Sequence, residues 1–197
     1  MASRLRPLLI AGLCALAAGT ITVSVLLSQS SSESPDDELV TLDDPGLVQE
    51  PTIATNSDVS GEALPRVDLL RLDDSTVGIG DLLDGRPLVV NLWFSTCQPC
   101  KREMPAIEAA HATYGDRVRF IGVNVQDSAE TASSFARDLG IDYEILRDPD
   151  GNLTSAAGVA TFPMTFFVSA DGVIISQIAG EMSADEIEAG VSQVLGS

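Results

Sequence analysis

Histidine and tryptophan each occur once in the 197-residue chain, and cysteine only three times. The scarcity of histidine and cysteine removes whole classes of protein. A structural zinc site wants four nitrogen and sulfur ligands, whereas a single C-x-x-C pair and the one histidine, His111, supply three, and copper carriage fails on the same count. Three cysteines are also too few for a disulfide-stapled mini-domain. Cations are short as well: 11 Lys and Arg face 29 Asp and Glu, a net charge of −18. Phosphate neutralisation needs clustered basic residues, so nucleic acid is excluded as a partner, and anionic membrane surfaces are disfavoured. Apolar residues are not short. At 45% of the chain they suffice for the core of one ordinary domain.

The N-terminus carries Arg4 and Arg6, then 22 uncharged residues from Pro7 to Ser28. That length spans a bilayer as a helix, and it exceeds the apolar centre of a cleavable signal peptide, so residues 1–28 are expected to be a membrane anchor, with a signal peptide as the alternative. The remaining cysteine outside the motif described below, Cys14, is then a membrane residue. Residues 29–64 hold nine acidic side chains and no Lys or Arg, with no sustained apolar periodicity, and read as a flexible acidic tether. Basic residues before the span and none in residues 29–64 place the N-terminus in the cytoplasm and the rest outside the cell membrane as a single-pass protein.

From Pro65 the pattern becomes that of a folded domain, 65–197. Leu88 to Phe94 is a near-continuous apolar run of strand length, as a strand buried on both sheet faces requires. Met104, Ile107, Ala110 and Tyr114 recur at helical spacing over 98–114. A second buried strand is expected over 118–125, a helix from Ser128 to about Leu139, a short strand at 144–146 and a short helix at 152–158. Two strands, 164–168 and 173–178, join across Ala170-Asp171-Gly172, and a helix over 184–195 closes the chain. This alternation predicts an α/β domain whose central mixed sheet carries helices on both faces.

Two cysteines form Cys97-Gln98-Pro99-Cys100 where the buried strand gives way to the helix. Free backbone N–H groups and the positive end of the helix dipole stabilise a thiolate there, which makes Cys97 the nucleophile. Cys100, one turn further in, is positioned to resolve a mixed disulfide. Pro99 falls in the first turn, where its missing N–H costs nothing. Lys101 and Arg102 give the helix start a local charge opposite to that of the chain. A purely structural disulfide is the competing use of the pair, but a four-residue loop at a helix start is a reactive geometry.

The run from Val90 to Pro105, with Trp93, Phe94, Cys97, Pro99, Cys100, Glu103, Met104 and Pro105, resembles the thioredoxin-like family, in its membrane-tethered TlpA and ResA branch of thiol-disulfide oxidoreductases. Leu69 to Leu83 is similar to that family's N-terminal hairpin, and Gly158 to Val168 to its cis-proline region. The resemblance implies that Pro163 is a cis-proline facing the disulfide and that the backbone of Phe162 pairs with an extended substrate segment, so Thr96, Gln98, Pro99, Phe162 and Pro163 would contact substrate. Without it, Pro163 reads as an ordinary strand-start proline. Glu103 matches an acidic residue of the ResA-like branch that would relay protons to Cys100; spacing alone equally allows a surface glutamate. Three positions depart from the family pattern. Thr96 stands where a second tryptophan is usual, which opens the rim, and Phe162 is bulkier than the usual residue, which narrows the set of partners. Asn91 replaces a buried aspartate and cannot exchange a proton. His111 is expected at the surface.

The implied activity is dithiol-disulfide exchange with no cofactor beyond the Cys97–Cys100 pair. The resemblance further implies a disulfide reductase acting on disulfide-containing proteins, apocytochrome c among them in cytochrome c maturation, supplied by a transmembrane thiol-disulfide electron donor; the protein is expected to be a monomer. A disulfide oxidase of secreted proteins and a thiol peroxidase of the AhpC/TSA type remain alternatives. The peroxidase pattern wants Thr or Ser three residues before the nucleophile, where this chain has Phe94.

Overall fold

The computed structural model describes residues 55–197. The expected anchor over 1–28 and the tether as far as residue 54 lie outside the described residues; among those described, no helix is long and apolar enough to cross a membrane. The strands are β1 (Asp68–Arg71), β2 (Thr76–Gly78), β3 (Leu88–Trp93), β4 (Arg119–Asn124), β5 (Glu144–Arg147), β6 (Met164–Val168) and β7 (Ile174–Ala179). The helices are α1 (Gln98–Tyr114), α2 (Ala129–Asp138), α3 (Asn152–Ala156) and α4 (Ala184–Leu195), with a single tight turn at Ile79–Leu82.

The strands form one sheet in the order β2-β1-β5-β4-β3-β6-β7. β3 runs parallel to β4, and β4 to β5, while β6, β7 and the β1–β2 hairpin pair antiparallel. Each parallel step requires a crossover, and α1 and α2 supply them on one face, as two same-handed crossovers stepping the same way across a sheet must. All six residues of β3 are buried, which is why Leu88-Val89-Val90-Asn91-Leu92-Trp93 reads as a continuous run. Alternation then sorts it. Leu88, Val90 and Leu92 enter one core, with Ile79 and Leu82 of the turn and Leu153 of α3. Val89 and Trp93 enter the other, with Met104 and Ile107 of α1, Ala132 and Ala136 of α2, and Ile187, Val191 and Val194 of α4. The three long helices therefore share one face. The opposite face, expected to carry helices too, has among the described residues only the short α3 and the tight turn.

Its remaining cover comes from residues assigned to the tether. Val59 and Leu64 are buried in that core, and Gly61 N–H and Ile174 N–H bond reciprocally to Ile174 O and Glu62 O at 2.8 Å each. Ala63 pairs antiparallel with Val173. Packing thus begins before Pro65. The low hydrophobicity of 55–64 hid it, because two apolar side chains and a row of backbone hydrogen bonds leave no periodic signal.

Candidate active site

Cys97 caps the N-terminus of α1 in an extended conformation, and its Sγ accepts from Cys100 N–H at 3.3 Å. The two cysteines are joined as a disulfide with Cα atoms 5.3 Å apart. The pair is unequal: Cys97 keeps 7% of its surface exposed and Cys100 none. An attacking thiol from another molecule therefore meets Cys97 first. Thr96 and Gln98 flank it exposed, and Pro99 is half-buried. Pro105 lies inside α1 and removes one helical N–H donor a turn beyond Cys100.

The loop that delivers Cys97 is pinned by a residue that the sequence did not single out. Asp127, between β4 and α2, accepts from Ser95 N–H and from Ser95 Oγ, each at 2.7 Å, and from Asn124 Nδ2 at 2.6 Å. No local motif announces it, because its partners are 32 and 3 residues away in sequence.

Across the same end of the sheet lies the second half of the site. Met164 pairs with Leu92, so Pro163 stands beside the last residue of β3, next to the turn that carries Cys97. The Phe162–Pro163 peptide is cis. Pro163 is buried, its carbonyl accepts from Gly180 N–H at 2.8 Å, and Gly180 reaches that position with φ +94°. Phe162 is half-buried and sets its ring edge-on to Phe94, 5.6 Å between centroids. Phe94 O in turn accepts from Cys97 N–H at 3.1 Å. Thr96, Cys97, Gln98, Pro99, Phe162 and Pro163 are thus brought to one end of the sheet.

Glu103 lies beneath them, 1% exposed, and is no surface glutamate. One carboxylate oxygen accepts from Asn91 Nδ2 at 2.7 Å and the other from Met182 N–H at 3.0 Å. Asn91, opposite Thr165 in the β3–β6 register, also donates to Thr165 Oγ1 at 2.9 Å. These two neutral donors favour the ionised carboxylate, but burial in an otherwise apolar core outweighs them, and Glu103 is pushed up to about 7. Burial likewise pushes the Tyr143 phenol up, with the charges of Glu103 and Glu108 adding to it.

Two expectations are revised here. His111 is half-buried rather than freely exposed: its ring packs against Phe120 and Tyr143, at 5.6 and 6.0 Å between centroids, and its Nδ1 is buried with no partner among the described residues. Helical spacing from Cys100 fixes an angle around α1, and only the packing of β4 and β5 shows what faces it. The local positive charge is also halved, since Arg102 forms an ion pair with Glu181 at 2.5 Å, leaving Lys101 exposed. Among the described residues, no three of His, Cys, Asp and Glu gather as a metal-ligand set.

The Redoxin family model matches residues 59–195, which spans the sheet, all four helices and most of the strap at 55–64. The chain is 26% identical over 133 residues to the thiol-disulfide oxidoreductase ResA of Oceanobacillus iheyensis, covering 65% of this chain and 69% of that one. It is 34% identical over 116 residues to the thiol:disulfide interchange protein HelX of Rhodobacter capsulatus, covering 58% and 64%. The solved structure of MTB dsbF in its mixed oxidized and reduced forms superposes with a TM-score of 0.60 at 27% identity, covering 66% of this chain and 95% of that one. Family model and relatives converge on the chemistry that a cysteine pair at a helix start supports, and the chain belongs to the Redoxin family as a thioredoxin-like thiol-disulfide oxidoreductase of the ResA and TlpA type.

Proposed function

We propose that this protein is a membrane-tethered, extracytoplasmic protein-disulfide reductase, with Cys97 as nucleophile and Cys100 as resolving thiol. The observation that carries the order of attack is the asymmetry of the pair, an accessible first cysteine at the free helix N-terminus and a wholly buried second one. In the reduced form the Cys97 thiolate attacks one sulfur of a partner's disulfide. That bond breaks, the partner's other sulfur leaves as a thiolate, and a mixed disulfide forms. Cys100 gives up its proton, attacks Cys97 Sγ, and releases the partner's second thiol, so two electrons pass to the partner and the disulfide described above is left behind.

Glu103 is the group for the Cys100 proton. It sits one helical turn beyond Cys100 and is held near neutral, so it takes and returns a proton at working pH. Asn91 orients it but has no proton to exchange. Phe162 and Pro163 receive the extended cysteine-bearing segment of the substrate by backbone pairing, with Thr96, Gln98 and Pro99 around Cys97. No further cofactor takes part. The uncharged run Pro7 to Ser28 supports a single membrane span, and the cations before it with none in 29–64 support an outside catalytic domain. Substrates of this kind include apocytochrome c, whose haem-attachment cysteines must be kept reduced. Electrons are resupplied by a transmembrane thiol-disulfide donor, and the protein works as a monomer.

The reduction potential of the Cys97/Cys100 couple tests the direction. A value near that of thioredoxin, about −270 mV, is expected; one near that of DsbA, about −120 mV, makes the protein an oxidase of secreted proteins instead. The roles of the cysteines separate on substitution. Cys97→Ser should abolish exchange and Cys100→Ser should accumulate mixed disulfides, read by non-reducing electrophoresis. Equal trapping by both variants would overturn the assignment of the nucleophile.

A further inference from the structure

The loop that ends in Phe162 and Pro163 hangs on one carboxamide from outside the sheet. Asn56 Oδ1 accepts from the backbone N–H groups of Ala160 and Thr161, at 2.6 and 2.8 Å, and its Nδ2 donates to Thr161 Oγ1 at 2.7 Å. Three of its four hydrogen-bonding sites are thus spent on two consecutive residues, the two that precede Phe162.

Asn56 is itself held. Ser57 N–H donates to Gly158 O at 2.9 Å. Gln177 of β7 donates to Ser57 O at 2.7 Å and accepts from Val59 N–H at 3.1 Å, while Val59 is buried in the core. The close approach depends on Gly158, where a Cβ would overlap the Ser57 hydroxyl and where φ is +61°. The strap and the loop are therefore fitted to each other, and the strap's anchorage runs through β7 and the core without involving the disulfide.

We propose that Asn56 is a positioning residue for substrate: it fixes the 160–162 backbone so that Phe162 presents an ordered edge to the extended, cysteine-bearing segment of a protein disulfide. This rests on the disulfide-exchange function proposed above. An edge that must be ordered at each encounter costs conformational entropy, and one held in advance does not. The register of Pro163 beside the end of β3, and the contact of Phe162 with Phe94, carry that order to the turn before Cys97. A small thiol or disulfide that uses no strand pairing gains nothing from it.

In the full-length chain, Asn56→Ala should raise KM for insulin reduction about tenfold, the worth of two or three exposed hydrogen bonds, with kcat changed less than about twofold. The rate at which dithiothreitol reduces the oxidised protein should be unchanged. Asn56→Asp keeps an acceptor for both amides and should restore most of KM. Amide hydrogen exchange at Ala160 and Thr161 should be at least about tenfold faster in Asn56→Ala, with the amides of β3 and β4 unaffected. An unchanged KM overturns the proposal, whether or not exchange at the two amides accelerates. So does a loss of kcat and of dithiothreitol reactivity together, which would mark a general folding defect. If the wild-type protein does not reduce insulin at all, the disulfide-exchange function fails separately, and exchange at the two amides still decides whether Asn56 holds the loop.

Discussion

At Glu103 two opposing effects act on one carboxyl. Two hydrogen bonds from Asn91 and Met182 favour the anion, burial disfavours it, and the outcome is a rise from 4.5 to about 7. The sign for stability follows from proton counting. Between these two values the folded protein holds a proton that the unfolded chain has released, so raising the pH through the window destabilises the fold, by on the order of 3 kcal/mol once it is crossed. Below the window both states are protonated and the cost is absent. Urea midpoints of the oxidised protein should therefore fall from about pH 5 to about pH 8, and Glu103→Gln should flatten that fall. Its amide can still accept from Met182 N–H while donating to Asn91 Oδ1, which is buried without a partner among the described residues, after a flip of the Asn91 amide. An equal decline in the variant would show that Glu103 is not the source. The position of Glu103 in the sequence, three residues after Cys100, was legible, but its burial was not. A helix states which residues share a face, and the neighbouring β6 and α4 decide which face is dry.

Among the elements, α1 was legible to its ends, 98–114, because Cys97 and Pro99 mark its start and the apolar residues of its buried face keep helical spacing. α4 was also read over its full length, yet its packing turns on a glycine. A Cβ at Gly190 would overlap the ring of Phe167 in β6, itself fully buried. Alanine favours a helix interior over glycine by about 1 kcal/mol, whereas overpacking a closed core costs about 1–3 kcal/mol and more where backbone must shift. The clash is expected to win, so Gly190→Ala should lower unfolding stability by about 1–2 kcal/mol and the thermal midpoint by several degrees. A higher midpoint would mean that α4 has room to move off the sheet. Asp127 shows the other limit of reading elements one at a time. It joins the turn before Cys97 to the turn before α2, two loops that only the parallel pairing of β3 and β4 brings side by side.

For the whole molecule, the boundary placed at Pro65 and the packing found from residue 56 make different claims. A chain beginning at residue 55 keeps the burial of Val59 and Leu64 and the pairing with Val173; one beginning at 65 loses all three. At about 1.5–3 kcal/mol for each buried aliphatic side chain, the shorter form should be less stable by at least about 3 kcal/mol in urea unfolding, while the longer should match the full chain. Equal stability of the two would reduce the strap to a surface contact. The order of buried strands, the crossover helices, the closing hairpin and the cysteine pair at a helix start were all determined by the sequence itself, because apolar periodicity, turn chemistry and capping are local properties. The tertiary structure alone decided that the long helices share one face, that Glu103 is enclosed and His111 half-buried, that Glu181 offsets Arg102, and that Asn56 bonds to residues 104 and 105 positions away. Each of these depends on which surface meets which, and a polar side chain carries no mark of a partner that chain folding brings to it from a hundred residues off.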